Sequence, residues 1–79
     1  KGSEQMFKNK VLLLLKNIDL SSNHFSGEIP LEIENLFGLV SLNLSRNYLT
    51  GKIPSNIGKL TSLDSLDLSR NQLIGSIPS

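Results

Sequence analysis

The chain has no cysteine, a single histidine, a single tyrosine and no apolar run longer than Val11–Leu15. Without cysteine, neither a disulfide nor a thiolate metal site can form within this span. That says nothing of redox compartment, because a long repeat protein can keep its cysteines in end caps. The five-residue run is far short of the roughly 20 apolar residues that cross a bilayer. The opening Lys1-Gly2-Ser3-Glu4 carries no signal-peptide pattern, so no targeting signal, anchor or membrane insertion is expected of this span itself. Charge of one sign is lacking too, with 8 Lys+Arg against 7 Asp+Glu. That balance argues against nucleic acid, which needs a basic face to displace phosphate counterions. Lys1, Lys8, Lys10 and Lys16 crowd the N-terminal end and read as a solvated terminus. At 79 residues the chain is one domain or part of one, with room for only a small core.

Signs of catalytic chemistry are missing as well. His24 stands where the other copies of the repeat described below hold Tyr48 and Gln72, which reads as a surface position. Glu28, Glu32 and Glu34 could in principle form an acid–base pair. No pocket is implied around them, and solubility is the simpler role. There is no phosphate-cradling glycine loop and no metal-ligand spacing, so no cofactor is implied. The expected activity is binding, and the chain is not expected to be an enzyme.

What is present is a period. Asn23, Asn47 and Asn71 are spaced by 24, and so are Gly27, Gly51 and Gly75. Ile29-Pro30, Ile53-Pro54 and Ile77-Pro78 keep the same step, as do Leu20, Leu44 and Leu68. The copies run 12–35, 36–59 and 60–79, the last incomplete, within a repeat region of 11–79. Copies two and three agree at 13 of their 20 shared positions, where average composition would give about one or two. Residues 1–10 fall outside the register and read as a non-repeat segment.

The unit predicts a coil. Leu42 and Leu44, like Ile18/Leu20 and Leu66/Leu68, are two apart and share one side of a strand. One strand per coil, stacked about 4.8 Å apart, gives a parallel sheet. Leu39 and Leu49 extend the inward set around the bends. The amides of Asn23, Asn47 and Asn71 offer both donor and acceptor, so they are expected to satisfy backbone groups at the turn and stack into a ladder. Gly51 permits a backbone angle closed to other residues. Pro54 fixes its own angle and suits an irregular return segment. Ile53, Ile57 and Leu60 are expected to fill the core from the far side. Copy three keeps Leu63, Leu66, Leu68 and Leu73 without polar replacements, so its end is expected to leave leucine exposed. The extra apolar residues Leu13 and Leu14 are expected to bury against a preceding coil.

The stretch Leu36–Lys59 reads Leu-x-x-Leu-x-x-Leu-x-Leu-x-x-Asn-x-Leu-x-Gly-x-Ile-Pro-x-x-Ile-x-x. It resembles the plant-specific, extracellular class of leucine-rich repeat, with Gly51-Lys52-Ile53-Pro54 carrying the class-specific element. The implied fold is an α/β-type repeat solenoid of about three coils. A short parallel sheet lines its concave face, and the return segments are irregular or 3-10. Lys1-Gly2, Glu4, Phe7 and Ile18–Asn23 resemble the segment after the non-repeat island of plant receptor-like proteins. Asp64–Ser69 and Ile77-Pro78-Ser79 resemble their last repeats before the membrane. The resemblance implies a ligand- or partner-binding scaffold, a piece of a receptor-like protein of the disease-resistance type. The parent would stand at the extracellular face of the plasma membrane. The implied partner is a protein or peptide ligand, or a co-receptor kinase ectodomain. Two alternatives stay open: a secreted enzyme inhibitor of the polygalacturonase-inhibiting type, and a truncated remnant without a function of its own.

In such a coil the strand positions between the leucines project outward in five columns. They are Lys16/Val40/Asp64, Asn17/Ser41/Ser65, Asp19/Asn43/Asp67, Ser21/Ser45/Ser69 and Ser22/Arg46/Arg70. Column one changes character fully and column five partly. Lys16, Val40, Asp64, Arg46 and Arg70 are therefore the candidate partner-binding residues. Asn43-Leu44-Ser45 is the single Asn-x-Ser/Thr sequon, so a secreted parent would offer Asn43 for N-glycosylation.

Overall fold

A computed structural model describes residues 15–78. The segment 1–10 and the apolar residues Leu12, Leu13 and Leu14 lie outside the described residues. Six strands follow one another: β1 (Asn17–Asp19), β2 (Ser26–Glu28), β3 (Ser41–Asn43), β4 (Tyr48–Lys52), β5 (Ser65–Asp67) and β6 (Gln72–Ile74). The odd strands form one parallel sheet in the order β1-β3-β5, and the even strands form a second in the order β2-β4-β6. Between β2 and β3, and again between β4 and β5, the chain returns through a 3-10 helix, Leu31–Asn35 and Ser55–Lys59. The helical component among the described residues is thus 3-10, with no α-helix.

The spacing of the apolar residues explains the 3-10 form. Pro30, Ile33, Leu36 and Leu39 are three apart, which is the turn of a 3-10 helix, so their side chains stack on one side. The backbone follows the same step. Ile33 N–H donates to Pro30 O at 3.1 Å, Leu36 N–H to Ile33 O at 3.1 Å, and Leu39 N–H to Leu36 O at 3.0 Å. Pro54, Ile57, Leu60 and Leu63 repeat the chain of bonds at 3.2, 3.0 and 3.0 Å. Ile33 and Leu39 are fully enclosed at 0% exposure and Leu36 at 1%. With Leu42, Leu44 and Leu49 they form the center of one core, to which Ile18, Ile29, Ile57, Leu60 and Leu68 belong.

A second sheet was not part of the sequence expectation, and its register differs from the first. In the first sheet, partners are a full repeat apart: Asn17 faces Ser41, and Ser41 faces Ser65. In the second sheet, Ser26 faces Tyr48 and Thr50 faces Gln72, two residues short of a repeat. Each coil is therefore offset along the second sheet by about 7 Å, two strand residues. The offset sets Gly27 beside Leu49 and Gly51 beside Leu73.

Gly51 is fixed for two reasons. Its φ is 80°, in the left-handed region. A Cβ there would also lie 2.8 Å from Glu28 Cγ, because the Glu28 side chain crosses from the preceding coil. Among the described residues no helix is long and apolar enough to cross a membrane.

Candidate functional site

The face is built by hydrogen bonds that tie each coil to the next at both ends of the first sheet. At column one, Lys16 O accepts the Val40 and Ser41 N–H groups at 2.7 and 3.0 Å, and Val40 O accepts those of Asp64 and Ser65 at 2.7 and 3.1 Å. At column five, Ser22 N–H donates to Ser45 O and Arg46 N–H to Ser69 O, both at 3.0 Å. Lys16, Asp64, Arg46 and Arg70 are exposed, and Val40 is half-buried. All five candidate residues thus flank the first sheet, in two columns just beyond the opposite ends of its strands.

Column five is not strand. Ser22, Arg46 and Arg70 have φ of 57°, 58° and 58°. A non-glycine residue in the left-handed region costs about 1 kcal/mol, so the turn holding it must be strongly determined. Two side chains determine it. Upstream, Asp19 Oδ1 accepts the Ser21 N–H at 3.0 Å and the Ser21 hydroxyl at 2.7 Å. Asp67 does the same for Ser69 at 3.0 and 2.6 Å, and Asn43 Oδ1 accepts the Ser45 N–H at 3.0 Å. Downstream stand the asparagines.

Asn47 Nδ2 donates to Leu20 O, Leu44 O and Ser45 O at 3.0, 3.0 and 3.1 Å, and its Oδ1 accepts the Phe25 N–H at 3.1 Å. Asn71 repeats the set one coil on, with Leu44 O, Leu68 O, Ser69 O and the Leu49 N–H. Asn23 bonds Leu20 O and Ser21 O within its own coil. Each of the later two asparagines therefore closes its own turn and the preceding one at once.

One expected outward position is corrected. Ser45 is 6% exposed, so the column Ser21/Ser45/Ser69 does not present a continuous solvent-facing row. Ser21 and Ser69 hold the same turn bond but are half-buried and exposed, so the middle serine is buried because coils flank it on both sides. The hydrogen bonds to Ser21 and Ser69 hold Asp19 and Asp67 below the usual carboxylate range; Arg46 adds a smaller pull on Asp67. Both stay anionic on this face at neutral pH. Lys16, Arg46 and Arg70 alternate with Asp19, Asp64 and Asp67, so a partner meets both signs within a few residues.

Two further surfaces went unread in the sequence. The outward side of the second sheet exposes Tyr48 and Ile74, and His24 stacks on Tyr48 with ring centroids 5.8 Å apart. The alternation Tyr48-Leu49-Thr50-Gly51-Lys52 was the signal that could have revealed this strand. Beside it lies an open groove of about 790 Å³ lined by Glu28, Pro30, Leu31, Glu32, Lys52 and Pro54, among others. On the return side, Glu34 Oε1 meets Lys59 Nζ at 3.1 Å and the Asn56 amide at 3.3 Å, linking two coils. That exposed pair contributes under about 1 kcal/mol.

Comparison with known proteins agrees with this geometry. The leucine-rich repeat family model matches residues 13–73. The chain belongs to the leucine-rich repeat family. No curated protein sequence matches it significantly. Among solved structures, this leucine-rich repeat chain is similar to the Arabidopsis receptor kinase HAESA, solved with the peptide hormone IDA and the co-receptor SERK1. The identity is 45% and the TM-score 0.77, over 84% of this chain and 11% of that one. It is similar to the plant peptide hormone receptor RGFR1, solved with RGF2, at 42% identity and TM-score 0.79, over 84% and 11% of the two chains. A chain of the BIR3–SERK2 complex from Arabidopsis thaliana gives 46% identity and TM-score 0.78, over 89% and 39%. The repeats here thus span between 11% and 39% of the length of these relatives. The structural relatives are plant receptor-type leucine-rich repeat proteins.

Proposed function

We propose that this chain is a binding segment of a plant cell-surface receptor-like protein in recognition signaling of the defense kind. Its first-sheet face receives a protein or peptide ligand, or a co-receptor kinase ectodomain. The observation that carries the reading is the face itself. Lys16, Val40, Asp64, Arg46 and Arg70 differ in chemistry from coil to coil, while the backbone beneath them repeats. A solenoid that keeps its frame and varies its outward residues is suited to selective contact. The similarity to receptors solved with a peptide hormone and with a co-receptor supports the same class of partner. Asn23, Asn47 and Asn71 serve as the ladder that holds the face rigid, which limits the ordering cost of binding. The parent stands at the extracellular face of the plasma membrane.

Alanine at all five positions tests the reading. In the parent's ectodomain, the five-alanine variant is expected to weaken capture of a co-receptor kinase ectodomain by about tenfold or more. Unchanged capture by a folded variant would remove these residues from the binding role.

A further inference from the structure

His24, Tyr48 and Gln72 hold the same offset in the three copies, and Gln72 shows that the frame requires no ring there. Two rings meet at this position all the same. Tyr48 is 57% exposed on the outward side of β4, and the His24 ring stacks on it at 22° with centroids 5.8 Å apart. The stack restrains the tyrosine before any ligand arrives, which removes part of the ordering cost of binding. Polar side chains surround the ring. In register, Ser26 stands beside Tyr48, Thr50 beside Gln72, and Lys52 beside Ile74. Two residues along a strand span about 7 Å, so the Thr50/Gln72 pair lies one step from the ring on the same side. That pair also parts Tyr48 from the exposed Ile74, so the surface is not one apolar patch. The Thr50 and Gln72 side chains make no hydrogen bond among the described residues. A hydroxyl and an amide together offer donors and acceptors of both kinds. The groove beside this sheet carries Glu28, Glu32 and Lys52, so it holds no field of one sign for a strongly charged chain.

We propose that the outward side of the second sheet binds a neutral oligosaccharide, with one sugar ring stacked on Tyr48 and the chain passing Thr50 and Gln72 toward the groove. A pyranose matches both halves of this surface. Its C–H face carries partial positive charge and sits on the negative face of the tyrosine ring. Its hydroxyls each donate and accept, and they meet Thr50 Oγ1 and the Gln72 amide. Glu28 and Glu32 outnumber Lys52 along the groove and repel a chain of uronic acids. The site lies apart from the first-sheet face, so its failure leaves the binding role proposed for that face untouched.

Tyr48 is the only tyrosine and the chain has no tryptophan, so its intrinsic emission reports on this ring alone. The test titrates the full chain with cellohexaose. A saturable change in tyrosine emission is expected, and polygalacturonate is expected to produce a weaker one. By calorimetry, Tyr48→Phe keeps the ring face and is expected to bind within about twofold of the parent chain, whereas Tyr48→Gln is expected to bind about tenfold more weakly. Glutamine already serves the fold at this offset in the third copy, so the loss reads the ring and not the frame. Arg46→Ala/Arg70→Ala, on the other face, is expected to bind the sugar unchanged. Emission that stays flat up to about 10 mM cellohexaose, where a millimolar site is nearly full, would overturn the proposal. Full affinity in Tyr48→Gln would do the same. Hydrogen exchange slowed at β4 and β6 by a co-receptor kinase ectodomain but not by cellohexaose would give this face to a protein instead.

Discussion

Asparagine at the turn carries more of this fold than its size suggests. Asn47 is 5% exposed and makes four hydrogen bonds, two of them to the preceding coil. Asn23 is exposed and makes two, both within its own coil. Alanine at Asn47 strands buried carbonyls and the Phe25 N–H, each a cost of about 1–3 kcal/mol. Asn47→Ala is therefore expected to destabilize by about 2–4 kcal/mol in a urea titration. Asn23→Ala is expected to cost under about half as much, since water replaces what it loses. Similar losses at both sites would contradict the ladder account. The need for an amide at this offset was legible in the sequence because three copies repeat it. The left-handed backbone at Arg46 and Arg70 was not, because nothing in an arginine side chain marks it.

Acid sensitivity also belongs to single residues. The folded state holds Asp19 and Asp67 below the usual carboxylate range through their bonds to Ser21 and Ser69. A depressed folded value means the stabilization is complete above the unfolded value and is lost as pH falls through the folded one. Thermal midpoints are expected to fall as pH drops through and below the usual carboxylate range for this reason. The Asp19→Asn/Asp67→Asn variant keeps both turn acceptors, as Asn43 does, and is expected to fall less. An equal decline in both proteins would assign the acid effect elsewhere.

Among the elements, the strands of the middle coil are sealed and those of the last coil are not. Leu42 of β3 is 0% exposed and Leu49 of β4 is 1%, while Leu66 and Leu73 at the matching positions are half-buried. The same decline runs through the Ile-Pro elements, from Ile29 at 4% to Ile77 at 48%. Leu42→Ala is expected to cost about 3–5 kcal/mol, the range for a fully enclosed leucine, and Leu66→Ala clearly less. Equal costs by denaturant titration would mean that the last coil is better covered than its exposure indicates. The first sheet was legible because Leu-x-Leu alternates with period two. The second sheet was hidden because β2 (Ser-Gly-Glu) is exposed throughout and carries no apolar residue, and β4 and β6 turn only Leu49 and Leu73 toward the core. Its two-residue offset is invisible to a repeat that always steps by the same length.

Across the described residues, the stacked coils share one core and present two sheet faces. Lys16, Val40, Asp64, Arg46 and Arg70 share offsets in the repeat, and the fold sets them in two columns flanking the strands of the first sheet. Periodicity identifies which positions are free to vary. It cannot say what binds there, because the frame imposes nothing on the outward residues. The exposed Tyr48 and Ile74 give the second sheet a competing surface with the aromatic and apolar character common at interface centers.

Hydrogen exchange on the parent's ectodomain, alone and saturated with a co-receptor kinase ectodomain, decides between them. The account predicts slowed exchange in the peptides that hold Lys16, Val40, Arg46, Asp64 and Arg70. Slowing confined to the β4 and β6 peptides, with the first-sheet peptides unchanged, would contradict it.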